Sequence, residues 1–229
     1  ACNFYIILPG KFCSMKIKRL WILLLFLSIF SLNGVQAEVR LGPTIGLNFS
    51  YMNWELRGDQ VSKKFIVRGQ VGLITEIKLH RELYLRHGLL VTEKGAKYLV
   101  GTSELLITPL YLEIPMSVVK KVPVDNTKLS FLFLGGVFLD YAIGGTYKYS
   151  NWENSQNIKY GSGSQNDMKE IDFGFNCGFG IDFFKFSIIA KYDHGFTNLA
   201  SENTSNEAMK SRLISVSFAY LFGEKDKKK

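Results

Sequence analysis

The chain has 229 residues, of which 21% are charged and 14% aromatic, and its formal net charge is +8. This length suits one domain or two small ones, and the composition excludes a disordered chain. The positive charge does not support a nucleic-acid partner, because residues 1–37 hold four basic residues and no acid, so the chain beyond them carries only about +4. Much of that remainder lies in the lysine-rich stretch 223–229.

The N-terminal stretch predicts an export signal. From Met15, a basic segment precedes the apolar run 20–32, and Val35-Gln36-Ala37 resembles a cleavage site. We therefore expect four regions: an over-extended start at 1–14, a cleavable signal peptide at 15–37, the folded domain at 38–222 and a basic periplasmic tail at 223–229. Cys177 is then the one cysteine of the mature chain, so no intramolecular disulfide is expected.

Beyond residue 38, apolar residues alternate with polar or small ones, which predicts β-strands. Eight strands are predicted at 39–51, 65–79, 83–94, 110–118, 129–149, 171–184, 186–196 and 214–222. Short turns at 80–82, 123–126 and 184–185 alternate with longer loops at 53–64, near 101, at 150–168 and at 199–210. Because Pro115 cannot donate a ladder hydrogen bond, we expect a bulge or local irregularity there.

The segment 171–184 indicates which face of the strands points inward. Large apolar residues such as Phe173 and Phe179 share one face, and the other face carries Asp172, Asn176, Asp182 and glycines. Glycine weakens a strand and adds nothing to a solvated surface, whereas small and charged residues suit the narrow interior of a closed barrel. The apolar row is therefore predicted to face lipid.

The other seven segments show the same parity. The predicted fold is all-β, a transmembrane up-and-down antiparallel β-barrel of about eight strands preceded by a cleavable signal peptide, in the outer membrane of a Gram-negative bacterium. A soluble lipocalin-like carrier is the alternative at the level of the fold, with its apolar rows facing inward.

The inward-facing charges nearly balance in sign. Since eight strands enclose a space that side chains can fill, we expect these charges to pair and plug the lumen. Arg86 and Glu113 are the best candidates for one such pair. The predicted lumen network consists of Arg40, Arg68, Glu76, Arg86, Glu113, Asp140, Asp172, Asn176, Asp182, Lys191 and Asp193. A narrow ion path along the same groups is the alternative.

Aromatic residues near the strand ends predict the two membrane interfaces. The predicted interface aromatics are Tyr51, Trp54, Tyr141, Tyr149, Trp152, Tyr192, Phe218, Tyr220 and Phe222.

We find no catalytic, cofactor-binding or metal-binding signature. Asp193 and His194 are the one acid–histidine pair near the external rim, but adjacent strand residues point to opposite faces, so they form no dyad within the strand. We predict a non-enzymatic protein without cofactors, with a structural, interaction or secretion-accessory role. A lipid-modifying barrel enzyme is the alternative. The expected partners are outer-membrane lipid and lipopolysaccharide, with envelope or secretion proteins as further candidates and no nucleic acid.

Several stretches resemble the PorT-like outer-membrane β-barrel family of Bacteroidetes-type bacteria, across roughly residues 38–222. They are Gly46-Leu47-Asn48-Phe49-Ser50, Lys94-Gly95-Ala96-Lys97, Tyr111-Leu112-Glu113-Ile114-Pro115, the glycine-rich fifth strand, Asp172-Phe173-Gly174 and the run 192–198. Tyr-Leu-Glu-Ile-Pro is the most specific of them, and none is catalytic. The resemblance implies an exported barrel; some members of the family are linked to protein secretion and gliding.

Overall fold

The computed structural model describes residues 38–56, 59–60, 62–100, 103–163, 165–201 and 207–223, with backbone only at 56, 59, 60, 100 and 207. The expected over-extended start (1–14), the signal peptide (15–37) and residues 224–229 of the expected tail lie outside these ranges. No helix in the described ranges is long and apolar enough to cross a membrane.

The described residues form twelve β-strands. They are β1 (Val39–Leu56), β2 (Asp59–Gln60), β3 (Lys63–Lys64), β4 (Ile66–His80), β5 (Leu83–Glu93), β6 (Ala96–Val100), β7 (Ser103–Pro123), β8 (Leu129–Tyr149), β9 (Gln156–Asn157), β10 (Ile171–Phe183), β11 (Phe186–Gly195) and β12 (Glu207–Tyr220).

The long strands close into a ring of antiparallel pairs. β1 pairs with β4, β4 with β5, β5 and β6 with β7, β7 with β8, β8 with β10, β10 with β11, β11 with β12, and β12 with β1. Since β6 continues the line of β5, the described residues form an eight-stranded barrel, and the predicted up-and-down fold is confirmed. The short strands β2, β3 and β9 pair antiparallel with β1, β6 and β8, respectively.

The two ends of the barrel differ in their connections. Three tight turns lie at one end, each with one residue at positive φ: Arg81 (40°), Asn126 (60°) and Phe184 (57°). Leu41 and Phe222, near the two ends of the described chain, pair at the same end. The longer connections lie at the opposite end. Outer-membrane barrels place short turns in the periplasm and long loops outside the cell, so we call these ends periplasmic and external.

The apolar rows point outward. Along β10, Phe173 and Phe179 are 53% and 66% exposed, whereas Asp172 and Asp182 are fully buried. The same alternation runs along β8, where the buried and exposed positions alternate from Ser130 to Ala142. A lipocalin-like carrier needs the opposite arrangement, so that alternative is wrong.

Three strands extend farther at the external end than predicted, and β7 also continues to Pro123 at the periplasmic end. β1 continues to Leu56, β7 begins at Ser103, and β12 begins at Glu207. These extensions lie beyond the lipid-facing band, where the outward positions no longer need to be apolar. The period-two signal that defines a strand in the sequence therefore fades there.

At Pro115 the expected local irregularity is an interruption of the pairing with β5, which is missing at Ile114 and Pro115. It is not a bulge, because β7 keeps its register with both neighbours across this position. The register shifts instead between Leu110 and Tyr111, where Ile143 of β8 is the additional residue. Gly145, close to this bulge, has φ 145°, a conformation that glycine adopts without a steric penalty.

Candidate functional site

Five buried charges form a layer in the periplasmic half of the barrel, which we call the periplasmic charge layer. Lys121 Nζ lies 2.6 Å from Glu76 Oε2 and 2.7 Å from Asp182 Oδ2. Arg40 pairs with both carboxylates as well, at 2.8 Å to Asp182. Arg86 Nε donates to Glu76 Oε1 at 3.0 Å. Glu76 thus accepts from three cations that come from three different strands.

A second set of buried charges, the external charge layer, lies toward the other end. Lys94 Nζ is 2.5 Å from Asp140 Oδ2 and 3.5 Å from Glu113 Oε2. Lys191 Nζ is 2.8 Å from Glu113 Oε1 and 3.0 Å from Asp193 Oδ2. The two layers together contain five cations and five carboxylates, so they are neutral as a unit.

A small space separates the two layers. It has a volume of about 50 Å³ and is lined by Arg86 from one layer, Lys191 from the other, hydroxyl groups such as those of Thr44 and Ser117, and apolar side chains such as Ile74. A space of this size beside several polar groups has room for water.

Most residues of the predicted lumen network lie in or beside these layers. Two of them are held by hydroxyl groups: Asp172 accepts a hydrogen bond from Ser211, and Asn176 Oδ1 accepts one from Ser117 at 2.7 Å. The others divide between the layers, with Arg40, Glu76, Arg86 and Asp182 in the periplasmic layer and Glu113, Asp140, Lys191 and Asp193 in the external one.

Two details of that prediction were wrong. Arg68 does not join either layer: its side chain is 29% exposed and its Nε lies 3.3 Å from Glu93, because it stands near the external end of β4, where a long side chain can reach solvent. Arg86 and Glu113 are not a pair. Arg86 binds Glu76, its direct cross-strand neighbour, and Glu113 binds lysines.

The predicted network also lacked two cations that the structure places at its centre. Lys121 was missed because the fourth strand was ended at 118, although the alternation of buried Ser117 and Val119 continues to it. Lys94 follows the last residue of β5, and its side chain runs back into the lumen. Extending the inward row of the fourth strand to 121 would have found Lys121, whereas Lys94 already lay on the inward row of the predicted third strand and was not included in the network.

An apolar cluster closes over the external end of the polar interior, and we call it the external cap. Its buried members are Met52, Ala96, Tyr98, Leu105, Ile107, Ile158, Met168, Leu199, Ala200 and Met209. They come from strand extensions and from the long connections. Tyr98 donates a hydrogen bond to the Met52 carbonyl at 3.0 Å, and Tyr160 donates one to the Gly144 carbonyl at 2.8 Å. Burial raises the pKa of both phenols above the ordinary value, so both stay neutral.

The predicted interface aromatics divide between the lipid-facing surface and the cap. Trp54 is a correction, because it packs against the cap, with its ring 5.0 Å from that of Tyr98, instead of facing lipid. The reason is that β1 continues past Tyr51, so Trp54 has the inward parity of Met52. Tyr149 also packs against the cap, and its ring contacts that of Trp152 in a tilted arrangement, with the centroids 4.8 Å apart.

The other predicted aromatics lie on the outward face. Tyr51 contacts Phe65, Tyr192 contacts Phe175, Tyr141 is 42% exposed opposite Ile171, and Phe218, Tyr220 and Phe222 form a row with Phe186 at the periplasmic end.

The acid–histidine neighbours lie on opposite sides of the wall. Asp193 is buried in the external charge layer, whereas the His194 ring stacks on Phe175 on the outward face at 5.1 Å. Within the described ranges, no group of three or more His, Cys, Asp or Glu side chains is arranged to hold a metal ion.

A family comparison fits this architecture. The model of the family described as the outer membrane protein beta-barrel domain matches residues 30–201, which is most of the chain. The chain belongs to this family. Membership in the outer membrane protein beta-barrel domain family, together with the lipid-facing apolar rows, places the protein in the outer membrane of a Gram-negative bacterium.

Solved structures similar to this member of the family are outer-membrane barrels of low sequence identity. The attachment invasion locus protein Ail of Yersinia pestis, solved with the heparin analogue sucrose octasulfate, is 14% identical over 81% of this chain and 99% of its own, with a TM-score of 0.38. Neisserial surface protein A is 8% identical over 79% and 97%, with a TM-score of 0.39. The N-terminal barrel domain of Pseudomonas aeruginosa OprF is 9% identical over 78% and 97%, with a TM-score of 0.33. No curated protein matches the chain.

Proposed function

We propose that this outer-membrane barrel is a closed, non-enzymatic protein that acts through its surfaces. The observation that supports this most strongly is the pair of charge layers, which are neutral when taken together. Ten buried charges bridge the lumen at two levels, and each carboxylate among them lies within reach of a lysine or arginine.

Paired charges of this kind oppose ion flow. A hydrated ion crossing the periplasmic charge layer would have to separate Glu76 or Asp182 from its cations. Breaking a buried pair leaves an uncompensated charge, which costs about 3–5 kcal/mol. The external cap adds an apolar barrier above the layers, because Met52, Tyr98 and Leu199 are almost completely buried there.

Conductance across a planar bilayer tests the closed lumen. We expect purified, refolded protein to give no current steps, and we expect the same preparation to show the heat-dependent gel mobility of a folded barrel. A stable single-channel current from the folded wild-type protein would contradict the proposal and favour the narrow ion path.

Lipid analysis tests the non-enzymatic assignment. We expect lipid A masses in a strain that overproduces the protein to equal those of the parent strain. New lipid A masses that disappear in a His194→Ala variant would contradict the assignment and favour a lipid-modifying enzyme.

For partners, we propose outer-membrane lipopolysaccharide, contacted through basic residues of the external surface, and a role in envelope structure or as an accessory of protein secretion. The PorT-like stretches, above all Tyr111 to Pro115, support the secretion role. A deletion strain tests the two roles separately. Loss of secreted proteins with an intact permeability barrier favours the accessory role, leakage of the outer membrane favours the structural role, and an unchanged strain contradicts both.

A further inference from the structure

The outward face of β11, β12 and β1 changes from apolar to basic at one level. On the periplasmic side of this level, the outward residues of the last two strands are Ile45, Leu47, Phe49, Ile214, Val216 and Phe218, all exposed. The next cross-strand row consists of His194, Arg212 and Tyr51, and the row beyond it pairs Lys210 with Asn53. The apolar band therefore ends on three neighbouring strands at paired positions.

Three cations gather at this boundary. Arg212, which is only 9% exposed, lies between His194 and Tyr51, and Lys210 is exposed one row farther out. Lys63 Nζ contacts the Asn53 side chain and lies 5.2 Å from the centre of the Tyr51 ring. We call Lys63, Lys210 and Arg212, with the rings of Tyr51 and His194, the basic boundary patch.

The described hydrogen bonds of Lys63 and Arg212 go to uncharged groups. Arg212 donates to the carbonyls of Gly195 and Ser211, at 2.9 and 2.6 Å. Among the side chains that the structure describes, no carboxylate forms an ion pair with any of the three cations. Glu55 is the acid on the same face of β1, and it lies beyond Asn53, opposite Ala208.

Other cations at the external end are arranged differently. Lys64 and Lys97 both pair with Glu104, on the opposite side of the β3–β6 extension. Lys148, Lys159 and Lys169 also form no ion pair among the described side chains, but they belong to β8 and its connection to β10. In the ring, β8 is separated from β12 by β10 and β11.

We propose that the basic boundary patch binds the phosphate of an anionic glycolipid in the outer leaflet. Its position at the edge of the band sets the cations at the depth of the lipid headgroup, and aromatic side chains such as Tyr51 are enriched at that depth. The exposed ammonium group of Lys210 can donate to a phosphate, and Lys63 adds a second ammonium group at this boundary. Arg212, whose Nη1 donates to two backbone carbonyls, contributes its positive charge. This inference rests on the lipid-contact part of the proposed function and is independent of whether the lumen is closed.

Native mass spectrometry of the folded full chain in detergent tests the patch. The probes are lipid A with both phosphates, the same lipid after dephosphorylation, and inorganic phosphate. We expect the wild-type protein to retain the phosphorylated lipid in preference to the dephosphorylated one. Since each basic residue near anionic lipid strengthens binding about fivefold, the triple variant K63Q/K210Q/R212Q should bind about one hundredfold more weakly.

Two further variants keep the test interpretable. K63Q/K210Q leaves Arg212 and its backbone hydrogen bonds in place, and should bind about 25-fold more weakly with unchanged heat-dependent mobility. K148Q/K159Q/K169Q removes three lysines from the external end of β8 and from its connection to β10, and should bind as the wild-type protein does.

The outcomes separate the patch from the broader proposal. If all variants lose affinity equally, or if only the β8–β10 variant loses it, the proposed binding site is wrong, while lipopolysaccharide remains the partner. Equal retention of both lipids by the wild-type protein contradicts both the binding site and the proposed lipopolysaccharide partner. Displacement of the lipid by inorganic phosphate at the same concentration would identify a site for free anions and overturn the assignment to lipid.

Discussion

Lys121 Nζ lies 2.7 Å from Oδ2 of Asp182, although β7 and β10 are separated in the ring by β8. The same ammonium group reaches Glu76 on β4, on the other side of β7. One lysine of β7 thus binds carboxylates of β4 and β10 across the interior of the barrel. Such contacts brace a narrow barrel against deformation, and they are the basis of the proposed closed lumen.

Replacing Glu76 tests how much the periplasmic charge layer contributes to stability. Glu76→Gln leaves Arg40, Arg86 and Lys121 with Asp182 as their one remaining carboxylate in this layer. We expect the free energy of unfolding to fall by about 3–5 kcal/mol, because buried charge is left uncompensated. Denaturant unfolding of the protein in detergent or lipid vesicles measures this change. The control is Lys120→Gln, which removes an exposed pair with Glu82 and should cost no more than about 1 kcal/mol. Equal effects of both variants would contradict the expected role of the layer.

Two adjacent glycines of β8 test the tight curvature of the wall. A Cβ on Gly136 would fall on the carbonyl oxygen of Met116 in β7, whereas a Cβ on Gly135 would meet nothing within 4 Å. We expect Gly136→Ala to lower the free energy of unfolding by about 1–3 kcal/mol, because the strands must move apart. Gly135→Ala should have little effect. The temperature at which the folded band is lost in gel electrophoresis compares the two variants, and equal temperatures would contradict the close approach.

A charge on the outward face tests its contact with lipid. Phe179 is 66% exposed near the middle of β10. Phe179→Arg should lower the free energy of unfolding in a bilayer by about 2–4 kcal/mol, as expected for arginine on the lipid face at the midplane. Leu99→Arg is the matched control, because Leu99 is 51% exposed in β6, on the external extension. The control should change stability by less than about 0.5 kcal/mol. If the outward face contacted water instead of lipid, the two variants would have equal free energies of unfolding.

We expect low pH to destabilise the external extension formed by β3, β6 and β7. Glu104 accepts hydrogen bonds from Lys97 and Lys64, and these hold the pKa of its carboxyl below the ordinary value. The folded state therefore gains stability above the ordinary carboxyl pKa and loses it as the pH falls through the lowered folded value. We expect the protection factor of the Leu99 amide, which donates to Ser62, to fall in that range.

The Glu104→Gln variant should remove this pH dependence. The amide of Leu199, which donates to Met209 within the cap, serves as the internal reference. If the protection of Leu99 follows the same pH curve in the variant, the ion pairs are not the cause.

The alternation of residue types determined the strands and their two faces. Because successive side chains on a strand point to opposite sides, each row of Phe, Ile and Val had to share one environment, and the row of Asp, Asn and Gly had to share the other. This local rule placed Glu76, Asp140 and Asp182 on the inward face and Phe179 on the outward face. It also placed the tight turns, since the pattern is interrupted at Arg81 and Phe184.

The tertiary structure decided which charges meet. Arg86 binds Glu76 and not Glu113, because partners across a lumen depend on the tilt of the strands and on their register, and neither is encoded by alternation within a single strand. For the same reason the sequence did not reveal that Trp54 turns into the cap, or that Lys63, Lys210 and Arg212 form one patch. These residues lie on separate strands, and only the closure of the ring brings β12 beside β1.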